Sequence, residues 1–243
     1  MYTSKRLAVD IETQPDPIAG QDMPLPEVAT GNLRDPIKIQ EKIDGARAAQ
    51  AAQAALDPHF GRIISIGFAR RHITGPEHAP IETQVFVRDD SAHAGPQAAE
   101  QALLRQAWDT LAVCAGGFAT FNGSGFDLPF MVRRSLLLGV AVPKSVFSLS
   151  HFDCRHTSSE HLDVMACLHY WECGNGQSNP LRLSRSLTFY ASRLLAMLPP
   201  LPVDHATLGA VFDSGDFKTL IDVNAWDATA TLRLAELCEV YYP

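Results

Sequence analysis

The amino-acid sequence predicts an α/β chain built around one mixed sheet. Three observations carry that prediction. Short segments with strand character crowd the first third of the chain, helical and strand periods alternate after them, and the C-terminal segment is one long amphipathic helix. The order β-β-β-α-β-α-β, followed by helices, gives a five-stranded sheet flanked by helices.

The first strand is Arg6-Leu7-Ala8-Val9-Asp10-Ile11-Glu12-Thr13. Pro15, Pro17, Pro24 and Pro26 then exclude regular structure over residues 14–35. Pro36 to Leu56 is helical, with Asp35 as N-cap and Pro36 at the first helical position. The second half of that helix is mostly Ala, Gln and Arg, so residues 14–60 form an insertion carrying a surface helix. Arg62 to Ala69 and Ile81 to Val87 are the second and third strands. Gln97 to Cys114 places Ala98, Leu103, Leu104, Ala107 and Leu111 at helical spacing, and Gly116-Gly117 ends it. Phe118 to Phe121 is a fourth strand, and Phe126 to Leu138 a helix with Gly139 as its C-cap. His161 to Met165 is a short fifth strand with a helix from Ala166, and Gly174 to Pro180 is a loop. Leu181 to Leu198 is helical up to Pro199-Pro200, and Phe217 to Tyr241 is the final helix. No repeat or boundary divides the chain, so residues 1–243 are expected to form a single domain.

Composition narrows the function classes. Hydrophobic residues at 46% and charged residues at 19% suit a globular enzyme and exclude a disordered chain. With 20 Lys+Arg against 27 Asp+Glu, the net charge of −7 argues against a broad basic surface for nucleic acid, while leaving room for acids gathered around cations. The five Cys (114, 154, 167, 173 and 238) are odd in number and irregular in spacing, which points to a reducing, cytoplasmic location. No run approaches the ~18 apolar residues of a membrane span, and the polar start from Met1 to Arg6 carries no expected leader.

Three acids or acid pairs stand in unusual surroundings. Asp10 and Glu12 alternate with Val9 and Ile11, so both carboxylates leave the first strand on one face. Such a pair repels unless a cation sits between its members, which is how Mg²⁺ or Mn²⁺ sites begin; a solvated strand end is the plainer alternative. Asp127 follows Asn122-Gly123-Ser124-Gly125-Phe126, where two glycines let the chain turn sharply into a helix. Its flanks, Phe126, Leu128, Pro129 and Phe130, are apolar, unlike those of an exposed cap. Asp227 interrupts the stripe Leu220, Val223, Ala230, Leu234, Leu237, Tyr241, and a carboxylate on a buried face must be paired, hydrogen-bonded or metal-bound.

Together these segments resemble the DEDD superfamily of 3′–5′ exonucleases, which has a ribonuclease H-like fold. Val9-Asp10-Ile11-Glu12-Thr13 fits its first motif, Asn122 through Asp127 to Phe130 its second, and Asp227-Ala228 with Leu232 and Leu234 its third. Within the superfamily the chain is most similar to stand-alone exonucleases akin to the proofreading domains of family B DNA polymerases. Residues 32–39, 57–63 and 161–165 share that likeness, which thus covers nearly the whole chain. The resemblance implies Asp10, Glu12, Asp127 and Asp227 as ligands of two Mg²⁺ or Mn²⁺ ions, converging in one cleft at the end of the sheet. It implies hydrolysis from the 3′ end of a single-stranded nucleic acid, DNA ahead of RNA. Asn122, Phe126 and Phe130 would meet the terminal nucleotide, although both rings could equally be core packing. Candidate cations for the backbone are Arg70-Arg71, Arg133-Arg134, Arg182, Arg185 and Arg193.

One departure stands out. Most of these enzymes place a Tyr four residues before the last Asp, or a His five before it, to orient the attacking water. Here the positions hold Val223 and Asp222. Asp222 is either the water-positioning group or the N-cap of the final helix, and a Tyr at 223 would lie one turn before Asp227 on the same face. The alternative reading is therefore a degenerate nuclease fold that binds nucleic acid or a protein partner without cutting. Two further rivals are an RNA–DNA hybrid endonuclease and a zinc protein using Cys154, His156, Cys167, His169 and Cys173, whose spacing departs from usual zinc motifs.

Overall fold

The computed structural model describes residues 7–24, 26–71, 79–113, 117–144, 146, 161–169, 186–201 and 204–241. Five strands form one sheet in the order β3-β2-β1-β4-β5: β1 (Leu7–Pro15), β2 (Gly61–Arg70), β3 (Glu82–Val87), β4 (Phe118–Thr120) and β5 (His161–Asp163). β2 is antiparallel to both β1 and β3, whereas β4 runs parallel to β1 and β5 parallel to β4. The sheet is mixed, as predicted, and its central strand carries the first acidic pair.

Helices cover both faces, so the central strands are apolar on both sides. On one face Val9, Ile11, Ile63, Ile66 and Phe68 pack against Leu103, Leu104 and Trp108 of α2 (Pro96–Ala112; α1 is Pro36–Gln53). Phe130 and Met131 of α3 (Asp127–Leu138) complete that cluster. The C-terminal helix, α7 (Phe217–Tyr241), covers the other face beside the short helices α4 (Val164–Leu168), α5 (Leu187–Leu195) and α6 (Leu208–Asp213). α7 spans Phe217–Tyr241, as its periodicity predicts. Its Leu220, Leu232 and Leu234 are fully buried, each contributing about 1.5–3 kcal/mol relative to exposure.

Small residues set how closely α7 approaches. Ala8 and Ala69 meet Ala228 and Leu232 across the interface. Gly67 lies opposite Asp10, and a Cβ there would stand 2.6 Å from Asn224 Oδ1 and 2.8 Å from the Asn224 carbonyl. That contact brings the polar side chains of α7 down onto β1.

Local chemistry fixes the helix ends. Asp35 Oδ1 accepts from Ile37 N at 3.0 Å with Pro36 at the first turn, and Gly139 closes α3 at φ 67°. α1 is exposed and polar on nearly every side, and Gln50 and Lys42 tie it to the carbonyls of Pro24 and Ala29. The final helix is capped by Asp216, whose Oδ1 accepts from Thr219 N at 3.1 Å. Asp222 is therefore not its N-cap: it lies inside α7, ion-paired one turn back with Lys218.

Other differences follow from weak local signals. The prolines after β1 do not exclude structure, since β1 runs on to Pro15 and a 3₁₀ turn forms at Ala19–Asp22. α6 and a 3₁₀ helix at His205–Thr207 fill a stretch without helical periodicity. The helix expected over Leu181 to Leu198 is shorter: α5 starts at Leu187, where Ser186 Oγ accepts from Phe189 N at 3.2 Å, and ends at Leu195. Leu181 itself, the loop at Gly174 to Pro180, Gly116 and Cys114 lie outside the described residues.

Two substitutions test this account. Gly67→Ala should destabilise by about 1–3 kcal/mol through overpacking against Asn224, read by denaturant unfolding. Asp216→Ala should lower the melting temperature more than Asp222→Ala, because only the former removes a cap.

Candidate functional site

Even-numbered side chains of β1 face α7, which places Asp10 and Glu12 together on the covered side of the sheet. At Glu12 the ladder slips: Glu12 pairs with Ser65 but Thr13 pairs with Ile63, leaving Ile64 of β2 as the extra residue of a bulge. Bulges bend a strand and re-aim side chains, and this one sits beside the acids. Asp227 comes from α7, and Asp127 opens α3, where its Oδ1 accepts from Ile11 N at 3.2 Å. All four acids line one cleft of about 720 Å³. Glu12, Asp127 and Asp227 are only 6%, 4% and 3% exposed.

The turn into α3 is braced by a residue the sequence shows only as part of a strand. Asp163, at the end of β5, accepts from Asn122 N and Ser124 N, each at 3.0 Å, and caps α4 through Ala166 N. Asn122 takes φ 63°, a left-handed conformation that Asn tolerates better than most residues. Gly123 packs so tightly that a Cβ would lie 2.1 Å from Thr120 Oγ1. These constraints aim Asp127 at β1 while Asn122 and Phe126 line the cleft.

Crowding shifts the protonation of the acids. Burial, and then the charges of Asp227, Asp127 and Glu12, push Asp10 well above the carboxylate range, opposed by a 2.8 Å hydrogen bond from Asn224 Nδ2. Asp127 rises to about 7, chiefly by burial, although its own amide and that of Ile11 stabilise its charge. Asp227 rises to about 7 through burial and the Glu12 charge, against the opposite pull of His205.

Sequence reading missed His205, which lines the cleft, and Asn224, which is buried behind Asp10. His205 stands at the cleft rim, with Nδ1 3.4 Å from Glu12 Oε1 and Nε2 3.7 Å from Asp227 Oδ2. Its hydrogen bond to Glu12, with the charges of Glu12, Asp227 and Asp204, raises it to about 9 against the cost of partial burial. Nothing local in the sequence singles it out, because it lies on a three-residue helix far from any motif. For Asn224 a signal existed: a polar residue three positions before Asp227 shares its helix face.

Other predicted site residues fall elsewhere. Asp222 does not line the cleft; it is half-exposed and held by Lys218. Val223 is buried against Ile64, Leu208, Phe212 and Leu220, so a Tyr there would enter packed core before it could reach the acids. Phe130 is 1% exposed and belongs to the core under α3, its ring centroid 5.5 Å from that of Phe126 with the planes tilted by 53°, so it is not a substrate contact. Arg134 is buried in a two-point ion pair with Glu100 at 2.8 and 2.5 Å, and Arg71 is bound to Glu236 in the same manner. Arg70 pairs with Glu82, and Arg193 lies over the Phe189 ring. Arg182, Arg185, Cys154, His156 and Cys173 lie outside the described residues, whereas Cys167 packs beside Cys238 in the core.

The donor set suits a divalent cation. Glu12 Oε1 and Asp227 Oδ2 are buried without a hydrogen-bond partner, a costly state that a metal would relieve. Among the described residues, Glu12, His205 and Asp227 form the cluster able to place one ligand atom each within 4.8 Å of the others.

Comparison with known proteins joins this geometry to a family. A family model described as a predicted 3′–5′ exonuclease related to the exonuclease domain of PolB matches residues 54–191, 138 of the 243 residues. The chain belongs to this family. The matched stretch of the PolB-like exonuclease family includes Asp127 but not Asp10, Glu12 or Asp227. No curated protein matches the chain. Among solved structures it is similar to the family B DNA polymerase of the hyperthermophilic archaeon Pyrobaculum calidifontis, with a TM-score of 0.55 and 15% identity. That likeness covers 98% of this chain and 24% of the polymerase, so the chain spans about a quarter of that protein's length. It establishes the ribonuclease H-like fold, and membership of an exonuclease-domain family implies divalent metal. Among the described residues no helix is long and apolar enough to cross a membrane.

The shifted groups predict a pH response. Asp127 and Asp227 keep protons near pH 7 that an unfolded Asp releases near its ordinary 3.8. Their contribution to stability is therefore full below about pH 4 and lost as pH rises through 7. His205, raised from 6.5 to about 9, adds stability that is lost as pH rises through 9. Without divalent metal the melting temperature should fall from pH 5.5 to pH 9. Added Mg²⁺ or Mn²⁺ should raise it most at the alkaline end, as measured by scanning fluorimetry.

Proposed function

We propose that this protein is a metal-dependent 3′–5′ exonuclease that hydrolyses phosphodiester bonds at the 3′ end of single-stranded nucleic acid, DNA in preference to RNA. The observation that carries the reading is the convergence of Asp10, Glu12, Asp127 and Asp227 in one cleft, from three elements far apart in sequence. A protein that merely binds has no use for buried carboxylates that repel one another. The described chain acts as one domain, with residues 14–60 as an insertion whose Leu56 end reaches the cleft.

The four acids would hold two divalent ions, Mg²⁺ or Mn²⁺. Two such ions supply Lewis-acid charge to both the attacking and the leaving oxygen of an in-line displacement. The chain's own side chains do the placing. Ile11 N and Asn224 Nδ2 fix the carboxyls of Asp127 and Asp10, so both ligands are set before substrate arrives. The apolar wall of Phe121, Phe126 and Leu187 offers a surface for the terminal base, and stacking on an aromatic ring is worth about 1–3 kcal/mol per base. Asn122 gives the same wall a polar side chain. A cleft of this size admits a frayed strand end better than a duplex, which favours the single-stranded substrate.

The decisive experiment digests 5′-labelled single-stranded DNA, RNA and duplex DNA with Mg²⁺, Mn²⁺ or EDTA. A one-nucleotide ladder on single-stranded DNA that EDTA abolishes is the expected result. Asp10→Asn and Asp127→Asn should each lower its rate at least about 10²-fold, the scale of losing one preorganised electrostatic stabiliser. Metal-independent retention of DNA with no cleavage would instead support a degenerate binding protein.

A further inference from the structure

The most unusual group in the cleft is a nitrogen donor among carboxylates. Glu12 Oε1 and Asp227 Oδ2 both point at His205, and both lack any hydrogen-bond partner although their residues are only 6% and 3% exposed. One ligand atom from each of the three residues lies within 4.8 Å of the others. Three ligand atoms about 2.1 Å from one ion stand about 3.6 Å apart at their widest even spread, so the trio closes by on the order of 1 Å around it. His205 stands on the exposed rim, with its backbone on a three-residue 3₁₀ helix, where such a movement disturbs little of the core. Asp10 and Asp127 are held differently, by Asn224 and by the Ile11 amide, and their side of the site presents oxygen alone.

We propose that His205 is the nitrogen ligand of one divalent-metal position, shared with Glu12 and Asp227, and that it makes this position select Mn²⁺ over Mg²⁺. The reasoning is ligand chemistry. Mg²⁺ takes hard oxygen donors, keeps its waters and gains nothing from an imidazole, whereas first-row transition ions accept nitrogen and carboxylate together. A site of two carboxylates and one imidazole therefore adds affinity for Mn²⁺ that an all-carboxylate site lacks. The inference rests on the exonuclease reading for the second ion and for the reaction, but not for the ligand set itself.

The test is binding and spectroscopy on the full chain, independent of turnover. Mn²⁺ and Mg²⁺ are titrated calorimetrically into the wild type, His205→Gln and Asp227→Asn, and pulsed electron paramagnetic resonance of the Mn²⁺ forms looks for coupling to imidazole ¹⁴N. The wild type should show that coupling. His205→Gln should lose it and bind Mn²⁺ at least about 10-fold more weakly, the lower end of what losing even an outer partner of a metal site costs. Its affinity for Mg²⁺ should not fall, since Mg²⁺ draws on oxygen donors and the variant removes an imidazolium charge beside them. Mn²⁺ binding by the wild type, in contrast, should release the His205 proton. A single cooperative melting transition and a wild-type far-ultraviolet circular dichroism spectrum for metal-free His205→Gln verify its fold, although its midpoint should fall because the His205 ion pairs are lost. His205→Asn replaces it should that variant fail to fold. Mn²⁺ binding without nitrogen coupling, unaltered in His205→Gln, overturns the ligand while leaving the four-carboxylate nuclease standing. No Mn²⁺ or Mg²⁺ binding by the wild type overturns both.

Discussion

Mutual repulsion among carboxylates buried at one end of β1 is the constraint on which the rest of this structure depends. Burial alone disfavours a charged Asp, and each further acid in the cleft raises the cost. The chain answers with fixed dipoles and one cation. Asn224 donates to Asp10, the Ile11 amide donates to Asp127, and His205 lies between Glu12 and Asp227. None of these saturates the site, because Glu12 Oε1 and Asp227 Oδ2 remain without a hydrogen-bond partner, facing His205 only at ion-pair distance. That residual deficit is what a bound cation would relieve: the arrangement least favourable to the metal-free fold is the one most favourable to an ion.

Such a cluster persists only if rigid elements hold it. β1 lies at the middle of the sheet, paired on both sides, and α7 is pressed onto it by contacts among alanines and Gly67. The closeness that Gly67 permits is also what lets Asn224 reach Asp10. α3 enters the site from the opposite face, steered by Asp163 through the backbone of the Asn122-Gly123-Ser124 turn. Three of the four acids thus stand on long or central elements. The fourth, Asp127, stands at a helix start whose preceding turn is held by Asp163 at the end of β5, and its carboxylate is held by the Ile11 amide. Positioning of this kind costs no reorganisation at the moment of reaction.

Much of this was legible in the amino-acid sequence, for identifiable reasons. Asp10 and Glu12 could be read because strand alternation is strict, and Asp227 because a helical stripe makes one polar interruption visible. Asp127 stood out by its apolar flanks. The strands and α7 followed from periodicity with boundaries displaced by a residue or two. What stayed hidden depended on tertiary contact. His205 lies on a short turn with no period, so nothing linked it to Glu12, 193 positions away. The role of Asp163 passes through backbone amides of another segment, and the bulge at Ile64 is invisible until β1 and β2 are paired. Phe130 was ambiguous because an aromatic beside a motif has the same signature whether it meets substrate or core. Asp222 misled for a related reason: it starts an apolar period, but the helix had already begun at Phe217, capped by Asp216.

Val223 and His205 make sense as two parts of one arrangement. Val223 packs against Leu208 and Phe212 of α6, and the 3₁₀ turn that carries His205 leads directly into α6. A compact side chain at 223 lets α6 sit close to α7 and β2, with Gly209 tight against Gln14 of β1, where a Cβ would lie 3.0 Å from the Gln14 Cβ. That close seat brings the preceding turn over the cleft and His205 within reach of Glu12 and Asp227. A large ring at 223 would need the volume that Leu208 and Phe212 occupy, and would lift α6 and with it His205. Val223 on α7 and His205 on the rim are thus coupled through a patch of ordinary core packing. If His205 binds metal as proposed, the departure from the expected motif is a change in which element completes the site.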